Sequence, residues 1–510
     1  MRIGLVLVVA GGMSLSAWWA ARVPIFGAPD EDTHFDYVVT LVTAGRLLLA
    51  SELPVAQIGP GDPFIPIVHP YTRHLSRASA TRHTRMRTEV KAPAGYGSEE
   101  FFDEVDRTAP SLDRPPVRNP WGVTGYPVGY YALAALWVSL VTSAADGPVA
   151  IFFAARSFSV LLLGLGLVAW WAVLRRKGCP PWKALGVLAA TAFLPLTSFV
   201  SSYGQPDNLT FFAVALCLWL GLRAAQEPPS AVRLAAAGAA LGLLLITKLH
   251  VFACVAAPVL ALLAVAHARW EHRRWLAWSV LLLGPSLLAG ELQSWISSGG
   301  ELRIASYRSE VYQEAGGSLP VYLARVIDSG FRNFFTVHGD TFRSFWWQFG
   351  WLDTPVVIVS AEVHEVVLLA LQVGMAGLLI LLVFRWQQVA TSLVGLWRRG
   401  ARSRALRLLV SDPTLLAYLS FAALIGAIYV VTANGFLAQG RNWYPFVPAI
   451  FWAAVGYSPR ALASRVAARW LSRAVLAGLL LYVAFGAWYA IPAIEERYFG
   501  PGPAAPAEIV

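Results

Sequence analysis

Long apolar runs joined by short polar connections recur along almost the whole chain, and this pattern constrains the fold more than any single motif. A helix that crosses a bilayer needs about 20 largely apolar residues. Segments 3–21, 151–174, 184–202, 208–224, 233–247, 250–267, 276–297, 361–384, 409–433, 442–457 and 474–493 meet or approach that length. Hydrocarbon offers no partner to a backbone N–H or C=O, so such runs are expected to be helices. The expected fold is therefore an all-α polytopic membrane protein with about 11 transmembrane helices, a single integral membrane unit over 1–510. Only 14% of residues are charged, against roughly a quarter in an ordinary soluble domain. That excludes a soluble enzyme, a disordered chain and a single-pass receptor with a large ectodomain.

The net charge of +10 could signal nucleic-acid binding or membrane topology. Its distribution decides the matter. With eleven spans, one set of loops holds Arg2, the 175–183 cluster, Arg223, Arg233, Arg269, Arg273, Arg274, Arg385, the run Arg398 to Arg407, and Arg460 to Arg473. These make up twenty of the forty Lys and Arg, accompanied only by Glu227, Glu271 and Asp412. Such a bias marks cytoplasmic loops, so nucleic acid is not an expected partner. The stretch 127–145 fits this parity only if it lies in the outer interface, as its Pro127, Tyr130, Tyr131 and Trp137 suggest. Two long segments then face outward: 22–150, a first external loop with interfacial helices, and 298–360, a second external loop. The first apolar run is long for a signal peptide and reads as a retained helix that starts in the cytoplasm. Cys179, Cys217 and Cys254 form no CxxC and predict neither a disulfide framework nor a thiolate metal site.

Five polar sites, and the polar insertion 71–118, fall on the outward side. After the first run, Asp30, Glu31, Asp32, His34 and Asp36 crowd into seven residues. Phe35, Val38, Val39 and Val42 follow at helical spacing. Acids in a first turn interact well with the helix dipole, so capping plus a solvated face explains them. A catalytic carboxylate at the bilayer surface explains them as well, and Asp30 with His34 at i, i+4 leaves a metal ligand pair geometrically open. Residues 71–118 read as a solvated or partly flexible insertion. Asp207 opens the 208–224 run as a cap or a substrate contact. Lys248, with His250 beside it, is an ionisable group near the membrane, and Arg441 carries a guanidinium suited to phosphate. Trp346, Trp351 and Asp353 belong to an aromatic-rich segment, which serves as an interfacial belt or as stacking walls for a sugar or isoprenoid.

The order of these motifs resembles the GT-C superfamily of membrane glycosyltransferases, which includes protein O-mannosyltransferases and lipid A aminoarabinose transferases. Asp30-Glu31 stands where that superfamily has an Asp-Glu pair after its first helix. Tyr126-Pro127-Val128-Gly129-Tyr130-Tyr131 is similar to the start of its interfacial helix but lacks the usual His-Pro-Pro. Ala155-Arg156-Ser157 is similar to the arginine-containing start of its second span. Pro-Asp-Glu-x-x-His-Phe-x-Tyr, Phe-Gly-Trp-Leu-Asp and Gln-Gly-Arg-x-x-x-Pro look closest to a little-characterised bacterial branch.

The resemblance implies an enzyme that moves a sugar from a polyprenyl-phosphate donor to an envelope acceptor, on the outer face of a bacterial cytoplasmic membrane. The acceptor would be a glycan, glycolipid or protein hydroxyl. It implies inversion by direct displacement, with Asp30 as base, Glu31 orienting the acceptor or substituting as base, and Asp207 positioning substrate. Lys248 and Arg441 are the residues chosen for the lipid phosphate, with His34, His250, Trp346, Trp351 and Asp353 as further substrate contacts. No cofactor and no divalent metal are expected, because lysine and arginine can neutralise the phosphate. A lipid-linked glycan ligase or polymerase, and a flippase or transporter, remain as alternatives. The ionisable residues gather at the outer boundary rather than along a path through the bilayer, which weighs against transport.

Overall fold

The computed structural model describes residues 2–48, 69–79, 91–110, 127–143, 146–228, 230–248, 275–298, 440–456 and 465–501, with isolated positions between 251 and 370. The first apolar run forms α1 (Arg2–Arg22). After a tight loop come α2 (Glu31–Ala44), α3 (Pro70–Ala78), α4 (Glu99–Arg107) and α5 (Gly129–Val141). A second group follows: α6 (Pro148–Arg176), α7 (Pro181–Phe193), α8 (Pro195–Val200), α9 (Pro206–Gln226), α10 (Ala231–Leu245) and α11 (Trp275–Ser298). Two-residue strands β1 (Gln348–Phe349) and β2 (Thr354–Pro355) pair antiparallel. A 3-10 helix (Gly440–Phe446) runs into α12 (Val447–Gly456), and α13 (Arg465–Phe499) closes the described chain.

Among the described residues, α1, α6, α9 and the Arg469–Phe499 part of α13 are long and apolar enough to cross a membrane. The chain is an all-α polytopic membrane protein. At 13 residues, α5 is about 20 Å long, short of the roughly 30 Å of hydrocarbon. The expected continuous span over 184–202 is broken in two. Pro195 lacks an N–H and pushes Leu194 out of helical geometry (φ −59°, ψ 126°), so α7 stops and α8 starts anew. The expected spans 361–384 and 409–433 lie almost wholly outside the described residues, as does most of 250–267.

The apolar residues form two cores. The larger joins α1, α6, α7, α9, α10, α12 and α13 through residues such as Trp19, Trp170, Leu188, Phe211 and Val455. The smaller sits beneath α2, α3, α4 and α5, where Phe35, Val38, Leu75, Val105 and Tyr131 meet Phe152 at the start of α6. This second core corrects the reading of 71–118 as a solvated insertion. α3 buries Thr72, Leu75 and Ala78, and α4 buries Phe101 and Val105, the i, i+3 and i+4 stripes of amphipathic helices. Asp106 anchors α4 to the start of α6, its carboxylate accepting from the Val149 N–H at 2.9 Å.

Candidate active site

Chain direction alternates, so the connections gather at two opposite ends of the bundle. One end carries the loop before α2, the turn before α9 and the segment after α10. The loop Val23–Asp30 is strained: Phe26 (φ 58°) and Asp30 (φ 59°) are both left-handed, a conformation that costs a bulky residue such as Phe roughly 1–2 kcal/mol and Asp less. Its surroundings hold it there. Phe26 is fully buried, edge-to-face on Phe152 at 5.2 Å. The Ile25 N–H donates to the Tyr96 hydroxyl at 2.6 Å, and the Tyr498 hydroxyl donates to the Gly27 carbonyl at 3.0 Å. Arg22 grips Glu495 with two bonds of 2.6 and 2.5 Å. The end of α13 therefore clamps a loop more than 460 residues earlier in the chain.

Arg156, about two turns into α6, completes the frame. Nε and Nη2 donate to the two oxygens of Glu31 at 2.8 and 2.7 Å. Nη1 donates to the carbonyls of Ala20 and Val23, both at 2.6 Å, and Nη2 donates to that of Pro24 at 2.9 Å. All five N–H donors of the guanidinium are thus used. Its face rests over Phe152 at 4.5 Å. Both charged side chains are 1% exposed.

The solvated-face account of the acidic run does not survive. Glu31, Asp32, His34 and Asp36 are all buried, and the Asp36 carboxylate accepts from the His69 N–H at 2.9 Å. From Val23 to Leu41, Asp30 is the one residue that is not buried. It occupies the N-cap position of α2 without a side-chain cap bond, so simple capping does not explain it either. The Asp-Glu pair divides: Glu31 enters the interior ion pair, and Asp30 remains at the boundary. His34 Nδ1 lies 2.8 Å from the Tyr131 hydroxyl, its ring stacked on that tyrosine. Tyr131 in turn packs on Tyr37 at 4.6 Å. Burial pushes Tyr37 up to about 12, which keeps it a neutral phenol. Among the described residues, no three His, Cys, Asp or Glu side chains converge as a metal site.

The turn Ser201–Gln205 links this acid to a second pair. The Gly204 N–H points at Glu31 Oε1 (3.4 Å), and three residues on, Asp207 forms an ion pair with Lys248. The sequence singled out both residues separately; the fold brings them together across 41 positions. Asp207 lies in the first turn of α9, whose cap position is Gln205, so its carboxylate serves the lysine rather than a cap. Side-chain exposure is 5% for Asp207 and 17% for Lys248. Close by, Tyr444 stacks flat on Phe211 at 4.7 Å and lies within electrostatic reach of Asp207. The Tyr444 hydroxyl and the Asn208 side-chain carbonyl are buried with no hydrogen-bond partner among the described residues. The 246–248 segment is held by close backbone contact. The Gly129 N–H donates to the Ile246 carbonyl at 2.7 Å, and a Cβ on Gly129 would stand 2.7 Å from that oxygen.

Arg441 lies in the 3-10 helix, with its side chain outside the described residues. His250, Trp346, Trp351 and Asp353 also lie outside them. Arg156, Tyr131 and Tyr444 were not among the expected site residues. Arg156 had a signal, since it is the lone charge within the 151–174 run. Tyr131 stood in the motif Tyr126–Tyr131 without a role assigned to it, and Tyr444 had no signal beyond its aromatic character.

A helical bundle with several spans, carrying buried ionic pairs at one end, defines a polytopic membrane protein with a polar site at one end of its bundle. The chain belongs to the family described as "Predicted membrane protein (DUF2142)", which matches residues 13–450. Among solved structures it is similar to ArnT from Cupriavidus metallidurans bound to undecaprenyl phosphate. That match has 14% identity and a TM-score of 0.43, covering 97% of this chain and 77% of the other. It is also similar to the Archaeoglobus fulgidus oligosaccharyltransferase tethered with an acceptor peptide, at 14% identity and a TM-score of 0.38, covering 98% of this chain and 56% of that one. The apo form of the archaeal enzyme matches at 14% identity and a TM-score of 0.37, covering 98% of this chain and 57% of that one. The chain thus spans little more than half the length of the archaeal enzyme. No curated protein matches the sequence.

Proposed function

We propose that the chain is a GT-C-type glycosyltransferase that moves a sugar from a polyprenyl-phosphate donor to an acceptor hydroxyl, on the outer face of a bacterial cytoplasmic membrane. One observation carries the reading. A boundary carboxylate, Asp30, is held in a strained conformation by a saturated buried ion pair, next to a second, partly exposed Asp207–Lys248 pair. Strain maintained at this cost is a feature of sites that position reacting groups.

In this reading Asp30 accepts the proton of the acceptor hydroxyl as its oxygen attacks the anomeric carbon. The sugar–oxygen bond to the phosphate breaks on the opposite face, which inverts the centre, and the departing phosphate keeps the electron pair. Lys248 meets the charge of the phosphate, joined by Arg441. Glu31 acts as a positioning residue rather than a second base, since both its oxygens are committed to Arg156. Asp207 orients Lys248, and the Tyr444 hydroxyl and Asn208 carbonyl offer hydrogen bonds to polar substrate groups. The positive charges stand in for a divalent cation, so chelation leaves the rate unchanged. His34, His250, Trp346, Trp351 and Asp353 complete the substrate contacts of the proposal, with no cofactor.

The test starts from the lipid. Purified protein is incubated with bacterial lipid extract, and retained polyprenyl-phosphate sugars are identified by mass spectrometry. The same lipid then serves as donor in turnover assays. Asp30→Asn is expected to reduce turnover by at least about 100-fold while leaving lipid retention intact. Full turnover by Asp30→Asn, or the absence of any such lipid, overturns the proposal.

A further inference from the structure

The end of the bundle opposite the candidate site carries a second set of fixed charges. There Lys183, in the first turn of α7, places its ammonium 5.4 Å from the Trp182 ring centroid. Arg473 of α13 approaches the same ring at 6.0 Å and lies over Trp470 at 5.3 Å. Two cations from different helices thus converge on one indole. Among the described residues, the ion pairs include no carboxylate with either of them. This contrasts with the neighbouring Arg176, Arg223 and Arg233, which share Glu227.

The arrangement is built by packing rather than by chance side-chain positions. A Cβ on Gly186 would stand 2.5 Å from Leu476, so α7 and α13 meet at a glycine that allows close approach. The Ser472 hydroxyl donates to the Val455 carbonyl at 2.7 Å, tying α13 to α12 beside Arg473. Trp182 is 46% exposed and Trp470 is 64% exposed, large apolar rings left at the surface. Depth along the membrane follows from α13. Arg473 and Glu495 lie on one helix, 22 residues or about 33 Å apart, and Glu495 sits at the candidate-site end. That separation matches the roughly 30 Å hydrocarbon core. Two tryptophans and two cations therefore sit at headgroup depth, where indoles anchor and acidic lipids concentrate.

We propose that Lys183, Arg473, Trp182 and Trp470 form a binding site for the phosphate of an anionic phospholipid in the leaflet opposite the candidate active site. The two cations take the phosphate, and the indoles pack against the glycerol and upper acyl chain. The ligand is a phospholipid rather than free phosphate, because the exposed rings contribute only to a molecule with apolar parts. The site is independent of the glycosyltransferase reading and stands or falls without it.

The experiment uses the full chain, purified in mild detergent and stripped of lipid, then titrated with dioleoylphosphatidylglycerol or dioleoylphosphatidylcholine and followed by native mass spectrometry. The wild type is expected to retain phosphatidylglycerol about 10-fold more strongly than phosphatidylcholine. The double variant Lys183→Gln/Arg473→Gln is expected to bring that preference to within about twofold. Arg223→Gln/Arg233→Gln removes the same charge from the same end and is expected to keep it. Equal loss in both double variants would assign the effect to net charge and overturn the proposal. Equal retention of the two lipids by the wild type overturns it without any variant, which covers the case in which a substitution prevents folding. Displacement of the lipid from the wild type by millimolar inorganic phosphate would refute the phospholipid assignment.

Discussion

Arg156 offers the sharpest test of the site's construction. Replacement by Met keeps length and apolar bulk but removes five hydrogen bonds at once, two to Glu31 and three to the carbonyls of Ala20, Val23 and Pro24. Breaking a buried ion pair from one side typically costs about 3–5 kcal/mol, because the remaining charge is left uncompensated. The three orphaned carbonyls add to this, though not additively. The expected loss for Arg156→Met is therefore at the upper end, about 5 kcal/mol. Glu31→Gln should cost less, since Arg156 keeps its three carbonyl partners. The double variant Glu31→Gln/Arg156→Met should be more stable than the sum of the single losses predicts, with a coupling of about 1–3 kcal/mol. Arg156→Lys retains the charge but supplies three donors in place of the planar fork, and should fall between wild type and Met. The assay is unfolding of the detergent-solubilised protein, by denaturant or by steric trapping, read by tryptophan fluorescence. A loss below about 1 kcal/mol for Arg156→Met, or strict additivity in the double variant, would refute the view that this pair holds the loop.

Three further outcomes follow from the same geometry. Burial pushes His69 down to about 4 from 6.5, so the folded state disfavours its protonation; its stabilising contribution is complete above pH 6.5 and is lost as pH falls towards 4, by up to about 3 kcal/mol. Stability measured from pH 7 to pH 4 should show this slope, and His69→Gln should flatten it. Tyr498→Phe removes the bond to the Gly27 carbonyl and should cost about 1 kcal/mol, seen as faster hydrogen exchange confined to amides 25–31; unchanged exchange there would disprove the clamp. Gly129→Ala forces a methyl against the Ile246 carbonyl and should cost about 1–3 kcal/mol, with the reactivity of Lys248 towards an amine reagent rising as its segment shifts; a neutral substitution would contradict the close contact.

Some of this protein was written in the sequence. Lengths of apolar runs fix helices and spans because hydrocarbon leaves the backbone no other way to satisfy its polar groups. Arginine and lysine bias sorts the connections into two ends, and the structure keeps them apart, with Glu495 and Asp207 at one end and Arg176 and Arg473 at the other. Pro195 divides a run that apolar length alone reads as one span. The amphipathic stripes of α3 and α4 were also present in the sequence. They were obscured because nine-residue helices rich in Arg or Glu look solvated until a partner surface covers their few apolar residues.

The site itself was legible only as a set of residue types. Asp30, Glu31, Asp207 and Lys248 carry the right chemistry in the sequence, but sequence does not say which charge meets which. Tertiary structure decided that Glu31 is neutralised by Arg156, 125 positions away, and that Lys248 pairs with Asp207. It also decided that Asp30 alone stays at the boundary, and that the last helix returns to clamp the loop that carries it. The physical reason is range. Hydrophobic periodicity is a local property that each segment expresses by itself, whereas the state of a charge depends on burial and on the nearest opposite charge, and only the folded chain sets those.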